Sequence, residues 1–434
     1  MIANLIFSLL LVAAAFLFSR NIRQVARNIR RGKPVRIEDR RPQRWKTMAR
    51  VAIGQTKMTS RPVAAVMHLF VYVGFIVINI EMIEILIDGV FGTHRALLFT
   101  GRVYPVLISV FEVFALSVIL ACAVFLVRRN LIRLKRFRSR ELTSWPRSDA
   151  NIILLTEILL MSSILIMNAS DGLLQARGNT HYAPTGAFLV SQFLQPLLAG
   201  LPDGSLVFLE RLTWWFHIVG VLVFLNYIPY SKHLHVFLSF PNVYYSKLGP
   251  LGKMDNMPAI THEIRLMLDP SAVPPPAPAE GEEIGQFGAR DATDLTWKHL
   301  MDAYTCTECG RCTSSCPANM TGKKLSPRKV VMDVRDRIEE LGRLPGKKKA
   351  GAADGRVLLE RISPEELWAC TTCNACAMEC PVNIDPLAVI LELRRYLVME
   401  KAAAPGELNA TFSNIENNGA PWQFSSEDRL QWAG

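Results

Sequence analysis

"CTECGRCTSSCP", residues 306–317, and "CTTCNACAMECP", residues 370–381, are two near copies of one pattern, Cys-x2-Cys-x2-Cys-x3-Cys-Pro. Together they hold eight of the nine cysteines of the chain. The ninth, Cys122, stands in an apolar run and reads as a small buried hydrophobe. Three thiolates two residues apart wrap one face of an iron–sulfur cube, and the fourth, leaving on a helix, reaches the other cube. The expected ligand sets are therefore crossed. Cys306, Cys309, Cys312 and Cys380 hold one [4Fe–4S] cluster; Cys370, Cys373, Cys376 and Cys316 hold the other. Structural zinc suits Cys-x2-Cys pairs but has no use for a third cysteine at the same spacing or for the trailing Cys-Pro. Disulfides fit poorly with repeated two-residue spacings in a chain that is neither small nor obviously secreted.

The motifs begin 64 residues apart, room for two helices, which points to a helical ferredoxin type over a compact β-rich one. Helix signals agree. Ser326 and Pro327 start a helix with Val330, Val331, Val334, Ile338 and Leu341 on one side, stopping at Gly342. Ser363, Pro364 and Glu366 form a capping box ahead of the second cysteine run, and Asp385 with Pro386 opens a helix after it. Almost nothing alternates with period two. Upstream, 241–268 reads as a short helical surface segment and 269–283 as a Pro-rich acidic linker. The stretch 342–356, "GRLPGKKKAGAADGR", reads as a solvated loop.

Half of the 434 residues are hydrophobic, which directs attention to a membrane portion. Five segments are long and apolar enough to span a bilayer: 2–18, 62–88, 104–127, 150–169 and 212–238. The first lacks a basic start and a small-residue cleavage site, so it reads as a retained span. Lys and Arg number fourteen in 19–61 and eight in 128–149, against two in 89–102 and one in 172–205. This asymmetry puts the N-terminus outside and the C-terminus in the cytoplasm. The net charge of +11 is thus membrane topology; no aromatic-interleaved basic face suggests nucleic acid. The segment 183–201, broken by Pro184 and Pro196, is expected to lie as an amphipathic element on the outer leaflet; the alternative, a sixth span, would move the cysteines outside. The architecture expected is all-α: a transmembrane bundle over 1–240, a surface segment and linker over 241–290, and a cytoplasmic dicluster domain over 291–434.

Ionisable residues inside spans are costly and therefore informative. His68 lies in the second span and His217 in the fifth, with His233 and His235 at its inner end. On one continuous helix, the 18 residues from His217 to His235 make five turns, so both would share a face about 27 Å apart. The second span runs outward and the fifth inward, which brings His68 and His235 to similar depth. Two facing imidazoles suit a six-coordinate haem b; the alternative is a hydrogen-bonded His68 and a His235 at the headgroups. His217 has no partner histidine at its depth, since position 78 is Ile78. It is a candidate for a second haem or for a quinone pocket with Glu81 or Glu84. Glu81, Glu84, Glu112 and Glu157 are proton carriers for a quinol on one reading, and interhelical hydrogen-bond partners on the other.

The stretches "RPVAAVMHLFVYVGFIVIN" and "WWFHIVGVLVFLNYIPYSKHLHVF" resemble the membrane cytochrome b of respiratory nitrate reductase, its gamma subunit, and the related membrane subunit of heterodisulfide reductase. The resemblance covers roughly 1–245 and implies a five-helix bundle with two histidines on the second span and two on the fifth holding two haems. His68 and His235 match the inner pair and His217 one outer ligand, with Ile78 in place of the other. The stretches "DLTWKHLMDAYTCTECGRCTSSCPANMTGKKLSPRKVVMDVRD" and "LWACTTCNACAMECPVNIDPL" resemble the iron–sulfur part of heterodisulfide-reductase-like proteins, above all the membrane-bound electron-transfer flavoprotein:menaquinone oxidoreductases. That family continues into cysteine-rich CCG domains, which are expected here on a separate subunit.

The resemblance implies an oxidoreductase subunit of a bacterial cytoplasmic membrane, with no organic-substrate site of its own. Electrons from a soluble donor, an electron-transfer flavoprotein acting through the CCG subunit, would reach menaquinone through two [4Fe–4S] clusters and haem b. The alternatives are a quinol-oxidising subunit of a heterodisulfide or sulfur-compound reductase, and a largely structural anchor of a respiratory assembly.

Overall fold

The computed structural model describes residues 1–132, 134–186, 188–273, 285–344 and 354–434. The linker expected at 269–283 and the loop expected at 342–356 fall mostly outside these residues. The architecture is all-α: no strand occurs among the described residues, and Lys33 and Thr296 form one isolated bridge. The chain divides into two compact units. One comprises Met1–Arg27, Trp45–Tyr244 and Tyr304–Gly310; the other comprises Asn28–Arg44, Tyr245–Ala303 and Arg311–Gly434.

The first unit is built on α1 (Ile2–Ile29), α2 (Arg41–Met48), α3 (Pro62–Phe91), α4 (Tyr104–Leu126), α5 (Trp145–Ala176), α6 (Gln195–Leu198), α7 (Asp203–Tyr227) and α8 (His235–Tyr244), with the last two residues of α1 and the first four of α2 counted in the second unit. Five of its helical stretches are long and apolar enough to cross a membrane: Ile2–Ile29, Pro62–Phe91, Ala96–Leu131, Trp145–Ala176 and Asp203–Tyr230. Apolar side chains both fill the interior and cover the outside, as a lipid-facing bundle requires. Small residues set the close approaches. A Cβ at Gly220 of α7 would stand 2.6 Å from Leu160 of α5, and one at Gly89 of α3 would stand 2.5 Å from the Phe7 ring. Cys122 packs among Ile78, Val118, Leu160 and Ile164, the inert place its surroundings suggested.

Two expectations are corrected here. Among its described residues, segment 183–201 contains only the short turns Ser191–Phe193 and Gln195–Leu198, not a surface helix of its full length; Pro184 and Pro196 deny it a continuous run of backbone donors. The fifth span also does not continue to 238. It stops at Tyr227, passes through 3₁₀ turns at Ile228–Tyr230 and Lys232–Leu234, and restarts as α8 at His235. Pro229 has no N–H to continue the ladder, and the Ser231 hydroxyl accepts the N–H of His233 at 3.0 Å, a new cap. His217 and His235 therefore do not share one face of one helix.

The second unit carries α9 (Pro258–Leu268), α10 (Trp297–Thr305), α11 (Arg311–Ser314), α12 (Pro317–Met320), α13 (Pro327–Arg343), α14 (Pro364–Trp368), α15 (Ala375–Glu379), α16 (Pro386–Met399) and α17 (Gly406–Asn418), with the last two residues of α10 counted in the first unit. The caps read from sequence are in place. Ser326 accepts from the N–H of Lys329, Ser363 and Glu366 form the capping box, and Asp385 accepts from Ala388. Val330, Val331, Val334, Ile338 and Leu341 of α13 are buried, and the same helix buries Arg337 between Asp291 at 2.8 Å and Asp354 at 2.7 Å. A guanidinium so enclosed is tolerable only because both carboxylates meet it.

Candidate metal centre

At the N-terminal end of α3, His68 comes beside His235, the first residue of α8, with ring centroids 6.4 Å apart and planes inclined at 47°. Each ring is oriented by an oxygen. His68 Nδ1 lies 3.0 Å from Oε1 of Gln55, which a left-handed turn presents to it, and His235 Nδ1 lies 2.9 Å from the carbonyl oxygen of Lys232. Donation from Nδ1–H to an oxygen leaves the ring lone pair on Nε2, the arrangement seen around metal-bound histidines. An imidazole nitrogen bonds a metal at about 2.0 Å, so His68 and His235, with centroids 6.4 Å apart, would have room to hold one metal ion between them. The spacing thus fits a group bound between the rings. Burial also pushes the His235 imidazole below its usual range, so it is neutral and able to ligate.

His233 adds a third ring, 5.7 Å from His235 and edge-on to it, and 5.2 Å from Phe224. Its Nε2 is buried without a hydrogen-bond partner among the described residues. His217 sits elsewhere, between α7 and α5, with Nδ1 3.0 Å from the Leu160 carbonyl and 3.3 Å from the Ser163 hydroxyl. Of the four intramembrane carboxylates singled out from sequence, Glu84 accepts from the Tyr104 hydroxyl and the Leu97 N–H, and Glu112 from Asn168, Val190 and Ser191. Those two serve as interhelical hydrogen-bond partners; Glu81 does not.

The two cysteine loops repeat one backbone. Two residues past the leading cysteine, Glu308 and Thr372 both have φ of 55°, and each N–H points at the sulfur of that cysteine, Cys306 or Cys370, at 3.4 Å. Two residues further, Gly310 and Asn374 again have positive φ, 70° and 61°. Such alternation folds the chain into a concave turn with N–H groups facing sulfur, where they stabilise anionic thiolate. Ile384 N–H meets Cys380 Sγ at 3.3 Å. No set of three or more His, Cys, Asp or Glu side chains among the described residues converges as around a single ion.

The first loop is fastened beside His235. Glu308 Oε2 receives Lys232 Nζ at 2.5 Å, and the same ammonium reaches the Pro146 carbonyl at 2.6 Å and stands 3.7 Å from Asp149. Asp149 in turn accepts the backbone N–H of Lys232 at 3.0 Å and the Tyr227 hydroxyl at 2.5 Å, bracing the break between α7 and α8. Gln55, Lys232, Asp149 and Glu308 were not singled out from sequence. The available signal was adjacency: Lys232 lies within "SKHLH" and Glu308 between two ligand cysteines.

Residues 305–384 match the family of 4Fe–4S dicluster domains, so the chain carries an iron–sulfur domain. The whole chain aligns at 27% identity with 61% of a probable iron-sulfur-binding oxidoreductase, FadF, of Bacillus subtilis. At 26% identity, 88% of it aligns with 52% of an EtfAB:quinone oxidoreductase of Syntrophomonas wolfei. About a third of it, at 34% identity, matches 24% of a probable membrane-anchored ferredoxin of Chromohalobacter salexigens. Subunits C and D of methanogen heterodisulfide reductases match shorter stretches. The chain spans between half and two thirds of the length of the first two relatives. No solved structure matches. With its five apolar helices, this is a membrane protein carrying iron–sulfur ligands.

Proposed function

We propose that this chain is the membrane subunit of a quinone-linked oxidoreductase, carrying electrons between a soluble cytoplasmic partner and menaquinone in a bacterial inner membrane, with its N-terminus outside. The ligand sets proposed are those crossed between the two loops for the [4Fe–4S] clusters, and His68 with His235 for haem b. His217 is a candidate for a second haem only with a ligand other than a histidine at position 78. When bound, these groups supply one-electron transfer; the chain supplies their spacing, burial and hydrogen bonds.

One observation supports the reading most directly. Lys232, whose carbonyl orients His235, also grips Glu308 between Cys306 and Cys309. A single residue therefore holds a cysteine loop and an imidazole in fixed relation, as transfer between two carriers requires. Gln55 fixes the His68 ring, and Asp149 keeps the intervening backbone from shifting. The partner proposed is an electron-transfer flavoprotein, acting through a CCG-domain subunit; the likeness to an EtfAB:quinone oxidoreductase favours it. The likeness to heterodisulfide reductase subunits favours a second reading, electron flow from quinol to a disulfide.

The purified protein is expected to show a haem b spectrum and about eight non-haem irons per chain. His68→Ala and His235→Ala should each abolish the haem bands while leaving non-haem iron and sulfide content intact. A wild-type protein with clusters but no haem would reject the imidazole site. Reduction by an acyl-CoA-linked flavoprotein and reoxidation by a menaquinone analogue would separate the first direction of flow from the second.

A further inference from the structure

At the end of α3 remote from His68, a small cavity is lined by four carboxylates, Glu81, Glu84, Asp88 and Glu210, together with His94, Arg95 and Arg211. Its volume of about 20 Å³ has room for one water. Three of the four carboxylates have donors. Glu84 takes the Tyr104 hydroxyl at 2.9 Å and the Leu97 N–H at 2.8 Å; Asp88 takes Thr93 at 2.5 Å and the N–H groups of Arg95 and Ala96; Glu210 takes Arg211 at 2.6 Å and Tyr182 at 3.2 Å. Glu81 is 1% exposed, and neither of its oxygens has a partner among the described residues.

The cations nearby do not make up the deficit. Arg95 is bonded to Asp171 at 2.8 Å and Asn168 at 2.6 Å, and Arg211 to Glu210. Glu84 and Glu112 also face Glu81 and add negative charge. A buried carboxylate with no donor is costly, so Glu81 calls for a proton or a visiting partner. A route to the surface stands next to it. His94 lines the cavity, lies 3.9 Å from Asp171, and has its ring 5.2 Å from that of His181, which is exposed; Tyr182 stands edge-on to both. Arg95, Arg211 and His181 oppose a positive charge on His94, and Asp171 favours it. Burial prevails and holds that imidazole down at about 4, neutral at pH 7 and able to accept a proton on one nitrogen while releasing one from the other.

We propose that Glu81 is a proton-transfer group that exchanges with the surface through one cavity water, His94 and His181, and that it serves the quinone conversion of the proposed function. Reduction of a quinone takes two electrons, supplied here by the iron–sulfur side, and two protons. One of those protons leaves the Glu81 carboxyl for a quinone oxygen, and the carboxylate regains it from the surface by way of His94; the other reaches the second quinone oxygen from bulk water. Quinol oxidation runs the same exchange in reverse.

The inference rests on the quinone reading for its purpose but not for its first test. Infrared spectra of the full-length protein in detergent, with no quinone added, are compared in H2O and D2O. A carboxyl carbonyl band lost in Glu81→Gln should shift in D2O within minutes, and at least about tenfold more slowly in His94→Phe. Absence of a Glu81 band, or an unchanged exchange rate in His94→Phe, would overturn the proton route. In proteoliposomes, Glu81→Gln should slow quinone-linked turnover about a hundredfold and Glu81→Asp should restore part of it, with cluster reduction unaffected. Full turnover in Glu81→Gln overturns the role of the route in quinone chemistry. If the wild type shows no quinone-linked turnover, the function proposed above fails, while the exchange measurement still decides the route.

Discussion

Glu308 and Thr372 hold equivalent places in two cysteine loops with the same backbone, yet their side chains do opposite things. Glu308 and its partner Lys232 are buried, with side chains 3% and 10% exposed, and the pair fastens the first loop beside His235. The Thr372 hydroxyl turns back on the carbonyl of Thr371 at 2.7 Å. The second loop is held instead by Arg394 of α16, which donates to the carbonyls of Leu367 and Cys370 at 2.6 and 2.5 Å while stacking over Trp368. Ligand geometry is thus common to both loops, and the anchoring is not. One loop is tied by charge within the membrane-helix unit; the other is tied by backbone clamping within its own unit.

The largest effects test what the loops share. Cys309→Ala and Cys373→Ala should each remove about half of the iron, and paramagnetic resonance should show a different cluster lost in each. Cys316→Ala should then resemble Cys373→Ala; if it resembles Cys309→Ala, the ligand sets are not crossed. The next effect tests the difference. Lys232→Met leaves Glu308 and Asp149 buried without their cation, a loss of about 3–5 kcal/mol. On heating, the cluster of the first loop should bleach well before that of the second, whereas Thr372→Ala should leave both melting curves in place. A smaller effect is expected at the entry to the second loop, where Ser363→Ala removes the cap of α14 and should lower stability by about 1 kcal/mol, measurable in the same melts. Smallest of all, Lys324→Ala breaks a pair whose side chains are 68% and 64% exposed, and denaturant unfolding should shift by less than about 0.5 kcal/mol.

The parts legible in sequence are those fixed by short-range chemistry. Five spans, the caps of α13, α14 and α16, and the buried face of α13 all follow from composition or from spacings of three and four residues. The approach of His68 to His235 was legible too, but by the wrong route. It was inferred from matching depth on two straight helices, whereas the fifth span stops at Tyr227 and a separate helix presents His235. Pro229 marks that break inside an otherwise unbroken apolar run. The anchors Gln55, Asp149 and Lys232 and the isolation of Glu81 could not be read, because each depends on which side chains meet across elements far apart in the chain. The two short turns in 183–201 show the same limit: hydropathy gave an apolar stretch without saying that its backbone would be irregular.

The interruption at Pro229 and Ser231 has a design consequence. Side chains on an unbroken helix occupy discrete stations, advancing by about 1.5 Å and turning by about 100° per residue. A ring placed by such a lattice can be moved only in those steps, each too coarse to tune a distance between two rings. By restarting the helix at His235 and bracing the joint with the Asp149 carboxylate, the chain gains fine adjustment: small changes in turn geometry slide the imidazole by fractions of an ångström without disturbing the long span beneath it.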